Sequence, residues 1–232
     1  MRLAWALLAA VAALVLAGCS SLDPIRVAER GIRNYAAQRI GPAQSYTVHI
    51  QRSGTRLSRG YLSLVTLDGT RVQAASNLVF DRVHLELRDV VVDRESRTIV
   101  SIGDSFATGD LLEADANAYL AARNRGPRGL RLEFGDGTIG VVAQPSVGRI
   151  GIPVRMEGSL VPRDGREIVF VPDEMRVARL NVPRPLLRVI EDHINPVFRV
   201  DELSLPVLVD DVRVTPGKMA IEGRADVSRI RG

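Results

Sequence analysis

A strict two-residue alternation over residues 150 to 160 constrains the fold more than any other feature of this sequence. Every second position there is apolar or glycine, and polar residues such as Arg155 and Glu157 lie between them. Successive side chains of a β-strand point to opposite faces, so the pattern predicts a strand with one buried and one solvated face. The ranges 46–50 and 83–87 repeat it. A sheet built from such strands needs a second layer to cover its apolar face.

Short segments rich in glycine, proline and aspartate separate the predicted strands. They are Asp68-Gly69, Gly135-Asp136-Gly137, Asp164-Gly165 and Pro216-Gly217. Combinations of this kind form tight turns. Strands joined by tight turns pair antiparallel, because parallel neighbours need a long crossover. We therefore expect a long antiparallel meander.

Three segments have helical rather than strand periodicity. The first is predicted over residues 24 to 40, with a proline at its first position and Gly41-Pro42 after it. The second is predicted from Asp110 to Asn124, and the third from Pro185 to Ile194. Helices that interrupt runs of strands favour an α+β fold, which we expect as one domain over residues 19–232.

Composition argues against several classes of function. Aromatic residues make up 4 % of the chain, which leaves few rings for stacking nucleic-acid bases. The net charge is +4 but the basic residues are scattered, so we expect no nucleic-acid partner. The three histidines have no ligand-like spacing, so we expect neither a metal nor another cofactor. The single cysteine excludes a disulfide framework.

That cysteine has a specific place. Residues 1–18 have the pattern of a signal peptide, and Leu16-Ala17-Gly18-Cys19 matches a bacterial lipobox. The Cys19 thiol would receive a diacylglyceryl group whose fatty-acyl chains, such as palmitate, anchor the mature protein in a membrane. We therefore predict a lipoprotein of the cell envelope, anchored on the extracytoplasmic side of a membrane.

Other positions carry a family resemblance. They are Leu111-Leu112 with Tyr119-Leu120, Gly137-Thr138-Ile139, Ile152-Pro153-Val154 with Gly158 and Leu160, Val182-Pro183, Leu186-Leu187, Asn195-Pro196, Leu205-Pro206, Val212, Gly217 and Gly223. Over residues 24 to 229 they resemble the LmeA-like phospholipid-binding family of bacterial envelope proteins. The resemblance implies a tubular lipid-binding-like fold, in which a long twisted antiparallel sheet curls around helices. It also implies phospholipid as the ligand, for lipid transfer or envelope biogenesis.

The lengths of the predicted elements agree with an apolar groove. Helices of about 25, 22 and 15 Å are too short to cover long strands such as 78–92 and 148–162 completely. The candidate lipid-contacting residues are Leu111, Leu112, Tyr119, Ile152, Val154, Met156, Leu186, Leu187 and Ile190. The alternative is a structural or adaptor lipoprotein whose core is fully packed. The sequence leaves an envelope protein partner open.

One motif suggests an enzyme instead. Residues 103 to 109 read Gly-Asp-Ser-Phe-Ala-Thr-Gly and resemble the nucleophile block of GDSL-type esterases. A serine nucleophile needs a histidine base and an acid to orient it. Those esterases take both from an Asp-x-x-His near the C-terminus, where this chain has Ile190 three residues before His193. We therefore expect no enzyme activity, and interpret Gly103 and Asp104 as turn formers after a strand.

Overall fold

A computed structural model describes residues 24–51, 60–93, 98–123, 128–144, 146–147, 150–151, 154–173, 194–202 and 207–226. The helices are α1 (Pro24–Arg39) and α2 (Glu113–Arg123), with a 3-10 turn at Val200–Glu202. The strands are β1 (Ser45–Gln51), β2 (Tyr61–Ala75), β3 (Leu78–Asp93), β4 (Thr98–Ser101), β5 (Asp104–Leu112), β6 (Arg128–Phe134), β7 (Ile139–Gln144), β8 (Ser146–Val147), β9 (Ile150–Gly151), β10 (Val154–Arg163), β11 (Glu167–Pro172), β12 (Phe198–Arg199), β13 (Val207–Thr215) and β14 (Lys218–Ala225).

The strands form two main antiparallel sheets. The larger sheet has the order β1-β2-β3-β5-β14-β13, with β4 also paired to β3, and it curls into a half-barrel. The smaller sheet has the order β12-β11-β10-β7-β6, and β8 pairs only with β9 in the described ranges. The C-terminal hairpin β13–β14 enters the larger sheet because β14 pairs with β5.

Each main sheet has one apolar face and one polar face. On β3, Val83 and Leu85 point inward, whereas His84 and Glu86 alternate with them on the outer face. On β10, Val154 and Met156 are buried and Arg155 is exposed. The apolar faces of the two sheets point toward each other, so the core lies between them.

Helix α2 separates the two sheets at one end, where it packs against β3, β5 and β6. The Asn117 side chain donates to the Leu132 carbonyl (2.9 Å) and accepts from its amide (2.7 Å). The Arg71 guanidinium donates two hydrogen bonds to the Asp115 carboxylate, at 2.6 and 2.9 Å. These contacts fix α2 to β6 on one side and to β2 on the other.

Helix α1 covers the outer strand β1 of the larger sheet. It buries Ile25, Ala28, Ile32 and Ala36, which recur at helical spacing. The helix ends at Arg39, one residue before the predicted end, and Gly41 follows with a φ of 140°. Together with α2 and the two main antiparallel sheets, this helix confirms a sheet-dominated α+β arrangement.

The second predicted helix begins three residues later than expected. Leu111 and Leu112 belong to β5 and not to the helix, because they continue the ladder with Met219 and Lys218. The helix starts at Glu113, whose amide donates to the carbonyl of Gly217. The third predicted helix, residues 185–194, lies outside the described residues except for Ile194.

One of the four predicted turns is wrong. Asp68 and Gly69 lie inside β2, paired with His84 and Val83 on β3. A Cβ on Gly69 would come within 2.9 Å of the Tyr46 ring, so glycine here permits close packing rather than a turn. The other three predicted turns do connect consecutive strands, as expected.

Two further expectations change in the structure. The strands divide into two main sheets instead of one long meander, because β6 follows α2 and pairs with β7 rather than with β5, so a second sheet begins there. Residues 103 and 104 do not form a turn together. Gly103 lies at a bend, but Asp104 already begins β5 because Arg88 pairs with it across the ladder.

A charge introduced at Met156 tests how tightly the smaller sheet is packed. Its side chain is 1 % exposed and lies opposite Val141. We expect Met156→Glu to lower the free energy of unfolding by several kcal/mol, because it buries a charge without a partner. Denaturant unfolding of the Cys19→Ser protein measures the effect.

The control for this change is Val161→Glu on the same strand. Val161 is 37 % exposed on the outer face, so its replacement should change stability by no more than about 0.5 kcal/mol. Equal stability of the two variants would contradict the packing described for β10.

Candidate functional site

An apolar cleft lies between the two main sheets. Strands β3, β5 and β14 form its floor, and β11, β12 and the 3-10 turn form the opposite wall. Floor residues include Leu85, Ala107 and Ile221, and wall residues include Ile168 and Phe198. Polar side chains contribute almost nothing to its lining.

The floor is hollow because small residues meet in its middle. Leu67, Leu85, Ala107, Gly223 and Val209 are successive partners across five strands and form one row on the inner face. The middle position, Ala107, carries only a methyl group. Next to it, Gly223 has no side chain, and the Leu208 carbonyl oxygen of β13 occupies the place that a Cβ would take. The leucine and valine side chains on either side therefore stand above the centre and enclose a trough.

Rings close the inner end of the cleft. The Phe80 ring lies over Gly109, where an added Cβ would come within 3.0 Å of it. The Phe198 ring stacks on Tyr119 with centroids 5.6 Å apart. Burial and a hydrogen bond to Glu202 raise the pKa of Tyr119 to about 12, so its hydroxyl stays neutral and donates to that carboxylate (2.8 Å).

The other end of the cleft is open. Leu85, Ala107 and Ile221 are partly exposed, whereas most of the wall residues are buried. Apolar side chains on the inner face of a sheet normally lose nearly all contact with water. Their partial exposure means that no described side chain fills this end of the core.

The cleft is narrow as it stands. The space between its walls, counted out to the open mouth, is about 740 Å³, but the cavity volume itself is about 60 Å³. One water needs about 10–15 Å³ by this measure, so the cavity has room for only a few waters. Pockets for drug-sized ligands usually span about 300–1,000 Å³. A long ligand therefore requires the two sheets to separate.

One edge of the cleft is fastened by the turn between β10 and β11. The Val209 amide donates to the Gly165 carbonyl at 2.8 Å, which joins this turn to β13. The Arg166 guanidinium contacts the buried carboxylate of Asp226 at 3.1 Å and that of Asp201 at 3.3 Å. We call these contacts of Gly165 and Arg166 the clamp.

The structure does not assemble an esterase site from the described residues. Ser105 lies opposite Leu87 and points inward, whereas His84 lies opposite Thr108 and points to the outer face. The Ser105 hydroxyl accepts a hydrogen bond from the Ala225 amide (2.9 Å), and His84 contacts Asp68 (2.7 Å). His193 lies outside the described residues. Within the described ranges, no three side chains are grouped in a way that could hold a metal ion.

The candidate residues chosen from the sequence lie away from this cleft or outside the described residues. Val154, Met156, Leu111 and Tyr119 are buried in the core, and Leu112 is partly buried. None of these five lines the cleft. Cys19, Ile152, Leu186, Leu187 and Ile190 fall outside the described residues, and their roles stay predictions.

Sequence reasoning missed the residues that do line the cleft. Leu85 belongs to the alternation over residues 83–87, but Ala107 and Gly109 lie in the segment that resembles an esterase motif. The usable signal was the spacing of small residues on a strand, since alternating Ala and Gly leave a face without side chains. That signal becomes specific only when the neighbouring strands are known.

The family comparison agrees with the resemblance seen in the sequence. The LmeA-like phospholipid-binding family matches residues 25–224, which include nearly every described element. No curated protein and no solved structure matches the chain. None of the helices in the described ranges has the length and apolar content needed to cross a bilayer. Because the match extends over most of the sequence, this chain belongs to the LmeA-like phospholipid-binding family.

Proposed function

We propose that this protein is a lipid-anchored envelope protein that takes phospholipid acyl chains into the cleft between its two sheets. Phospholipid binding is supported by membership of the family. The observation that carries the choice of site is the partial exposure of Leu85, Ala107 and Ile221, which are apolar residues on the inner face of the larger sheet. The proposed role is transfer or presentation of the lipid, without chemical change to it.

The energetics of acyl transfer favour an apolar cleft of this kind. A chain of 16 carbons left in water costs on the order of 12 kcal/mol, at about 0.8 kcal/mol per methylene. A cleft whose lining matches the bilayer interior removes most of that cost. Transfer then depends on opening and closing the cleft rather than on a large difference in affinity.

The clamp is the place where opening would occur. It joins the smaller sheet to β13 next to Val209 and Leu208, which both line the cleft. Its links between the sheets are the Val209–Gly165 backbone hydrogen bond and the Arg166–Asp226 ion pair, because Asp201 lies in the same wall as Arg166. A second backbone hydrogen bond, from the Gly137 amide to the Val214 carbonyl (3.0 Å), joins the smaller sheet to β13 further along the strand. Separation at this edge would widen the cleft while α2 keeps the sheets joined at the other end.

A structural or adaptor lipoprotein is the second candidate, and the small cavity volume favours it. In that case the cleft never widens and no lipid enters. A lipid extract of protein purified without detergent separates the two: phospholipid in the extract supports our proposal. Its absence from protein that was exposed to membranes supports the adaptor.

The cleft itself is tested by replacing Leu85. We expect Leu85→Glu to fold and to lose at least nine-tenths of its bound phospholipid, because a carboxylate on the floor repels acyl chains. Ala107→Phe should have the same effect without a charge, by filling the trough. Lipid extracted per mole of folded protein measures both variants.

Val171→Glu provides the control, since Val171 is 45 % exposed on the outer face of the smaller sheet. It should retain the lipid content of the parent protein. Full lipid content in both cleft variants would show that the acyl chains lie elsewhere.

A reversible disulfide tests whether the clamp must open. A Cβ built on Gly165 lies 3.4 Å from the Leu208 Cβ, close to the spacing within disulfides. In a Cys19→Ser background, we expect oxidised Gly165→Cys/Leu208→Cys protein to take up lipid from vesicles at least tenfold more slowly than the reduced form. At position 165 the backbone has a φ of 65°, which is unfavourable for cysteine and lowers the stability of the variant. Both redox forms carry the same cysteine, so this loss of stability does not affect the comparison of their uptake rates.

Equal uptake rates in the two redox forms would exclude opening at the clamp. They would leave phospholipid binding itself intact, because the reduced protein serves as the positive control for uptake.

The membrane anchor is tested at Cys19. We expect Cys19→Ala to lose metabolic labelling by a fatty-acid probe and to leave the membrane fraction, because acyl chains supply the anchoring energy. A wild-type protein that sediments with membranes but carries no label would refute the lipoprotein proposal.

A further inference from the structure

The exposed face of α1 carries a row of arginines. Arg26, Arg30 and Arg33 follow the i, i+4, i+7 spacing, so they lie on one side of the helix, and all three are exposed. The neighbouring exposed residues Asn34 and Gln38 are uncharged. Within the part of the chain that the structure describes, no carboxylate pairs with any of the three. We call Arg26, Arg30 and Arg33 the arginine row.

The one acidic residue of α1 is directed away from this row. The Glu29 carboxylate accepts a hydrogen bond from the Ile50 amide at 3.1 Å and lies 3.8 Å from His49. Its side chain is 19 % exposed. Among the described exposed residues of the helix, the only charged ones are therefore the three arginines.

Three exposed arginines on or next to the strands of the sheets are arranged differently. Arg155 pairs with Glu133 at 2.6 Å, Arg213 pairs with Glu222 at 2.7 Å, and Arg163 pairs with Glu167. Their charges are compensated locally across neighbouring strands or turns. The arginine row lacks such compensation, so it remains available to an anionic partner.

The position of α1 in the chain identifies that partner. Cys19 precedes Pro24 by five residues, and five extended residues span at most about 18 Å. An acylated Cys19 therefore holds the start of α1 within about two Debye lengths of the bilayer at physiological salt. A cationic helix face in that position lies in the field of the anionic lipid headgroups.

We propose that the arginine row is a second membrane contact, at which α1 lies flat on the anionic phospholipid surface beside its own anchor. This proposal rests on the lipid anchor of the proposed function. The row extends for about 10 Å along the helix, and planar guanidinium groups match phosphate oxygens in pairs. A flat α1 fixes the direction of β1 and of the whole larger sheet, so the cleft keeps one orientation to the bilayer.

The test measures the arginine row without the anchor. Cys19→Ser protein is sedimented with vesicles of phosphatidylcholine alone, or of phosphatidylcholine mixed with phosphatidylglycerol. We expect binding only to the mixed vesicles, and weaker binding as salt rises. Arg26→Gln/Arg30→Gln/Arg33→Gln should lower the partition coefficient about a hundredfold, at about fivefold or about 1 kcal/mol per arginine. The corresponding triple lysine variant keeps the charge and should bind within a few-fold of the parent.

Two controls make the outcome specific. Arg155→Gln/Arg163→Gln/Arg213→Gln removes the same net charge from the sheets and should bind mixed vesicles within a few-fold of the parent. The triple variant in α1 should keep its bound phospholipid, whereas Ala107→Phe should lose that lipid and still bind vesicles.

Equal losses in the two arginine-to-glutamine variants would overturn the arginine row in favour of overall charge. Unchanged binding in the α1 variant would overturn it as well. Neither result depends on the lipid content of the cleft, so a failure of the cleft proposal is recognised separately by the lipid extract.

Discussion

The two longest strands are about three times as long as the helix that separates the sheets. Strands β2 and β3 have 15 and 16 residues and extend for about 50 Å, whereas α2 has 11 residues and spans about 16 Å. Each strand presents an apolar inner face along much of its length, and that face needs a cover. Helix α2 covers one end, α1 covers the outer strand, and the smaller sheet faces the rest. The cleft lies where these described elements leave part of the inner face uncovered.

Residue size decides where the incomplete cover becomes a usable space. Ala107 and Gly223 meet in the middle of the larger sheet, so its centre lacks side chains while leucine and valine project on either side. The opposite wall, with Ile168 and Phe198, is well packed. The result is a cleft whose edge at β13 is held by the contacts of Gly165 and Arg166 and by the hydrogen bond from the Gly137 amide to the Val214 carbonyl. In this account the floor of the larger sheet binds the acyl chains, the clamp opens the cleft, and α1 sets the orientation of the protein to the membrane.

The predictable features depend on local pattern, and the unpredictable ones depend on distant partners. Helix α1 and strand β10 were predictable because their buried residues recur every three to four or every two positions. The cleft was not, because Ala107 becomes a floor residue only through the pairing of β5 with β14. Ser105 and Ala225 are hydrogen bonded although 120 residues separate them. Gly69 shows the same limit, since the nearby Tyr46 ring, and not a turn, accounts for glycine there.

The central claim is that acyl chains lie between the two sheets and contact the floor of the larger one. Photocrosslinking tests it most directly, with a phospholipid that carries a photoreactive group in its acyl chain and peptide mapping by mass spectrometry. Our account predicts adducts on the segments that contain Leu85, Ala107 and Ile221. Adducts confined to β10, around Val154 and Met156, would contradict it, because those side chains are buried outside the cleft.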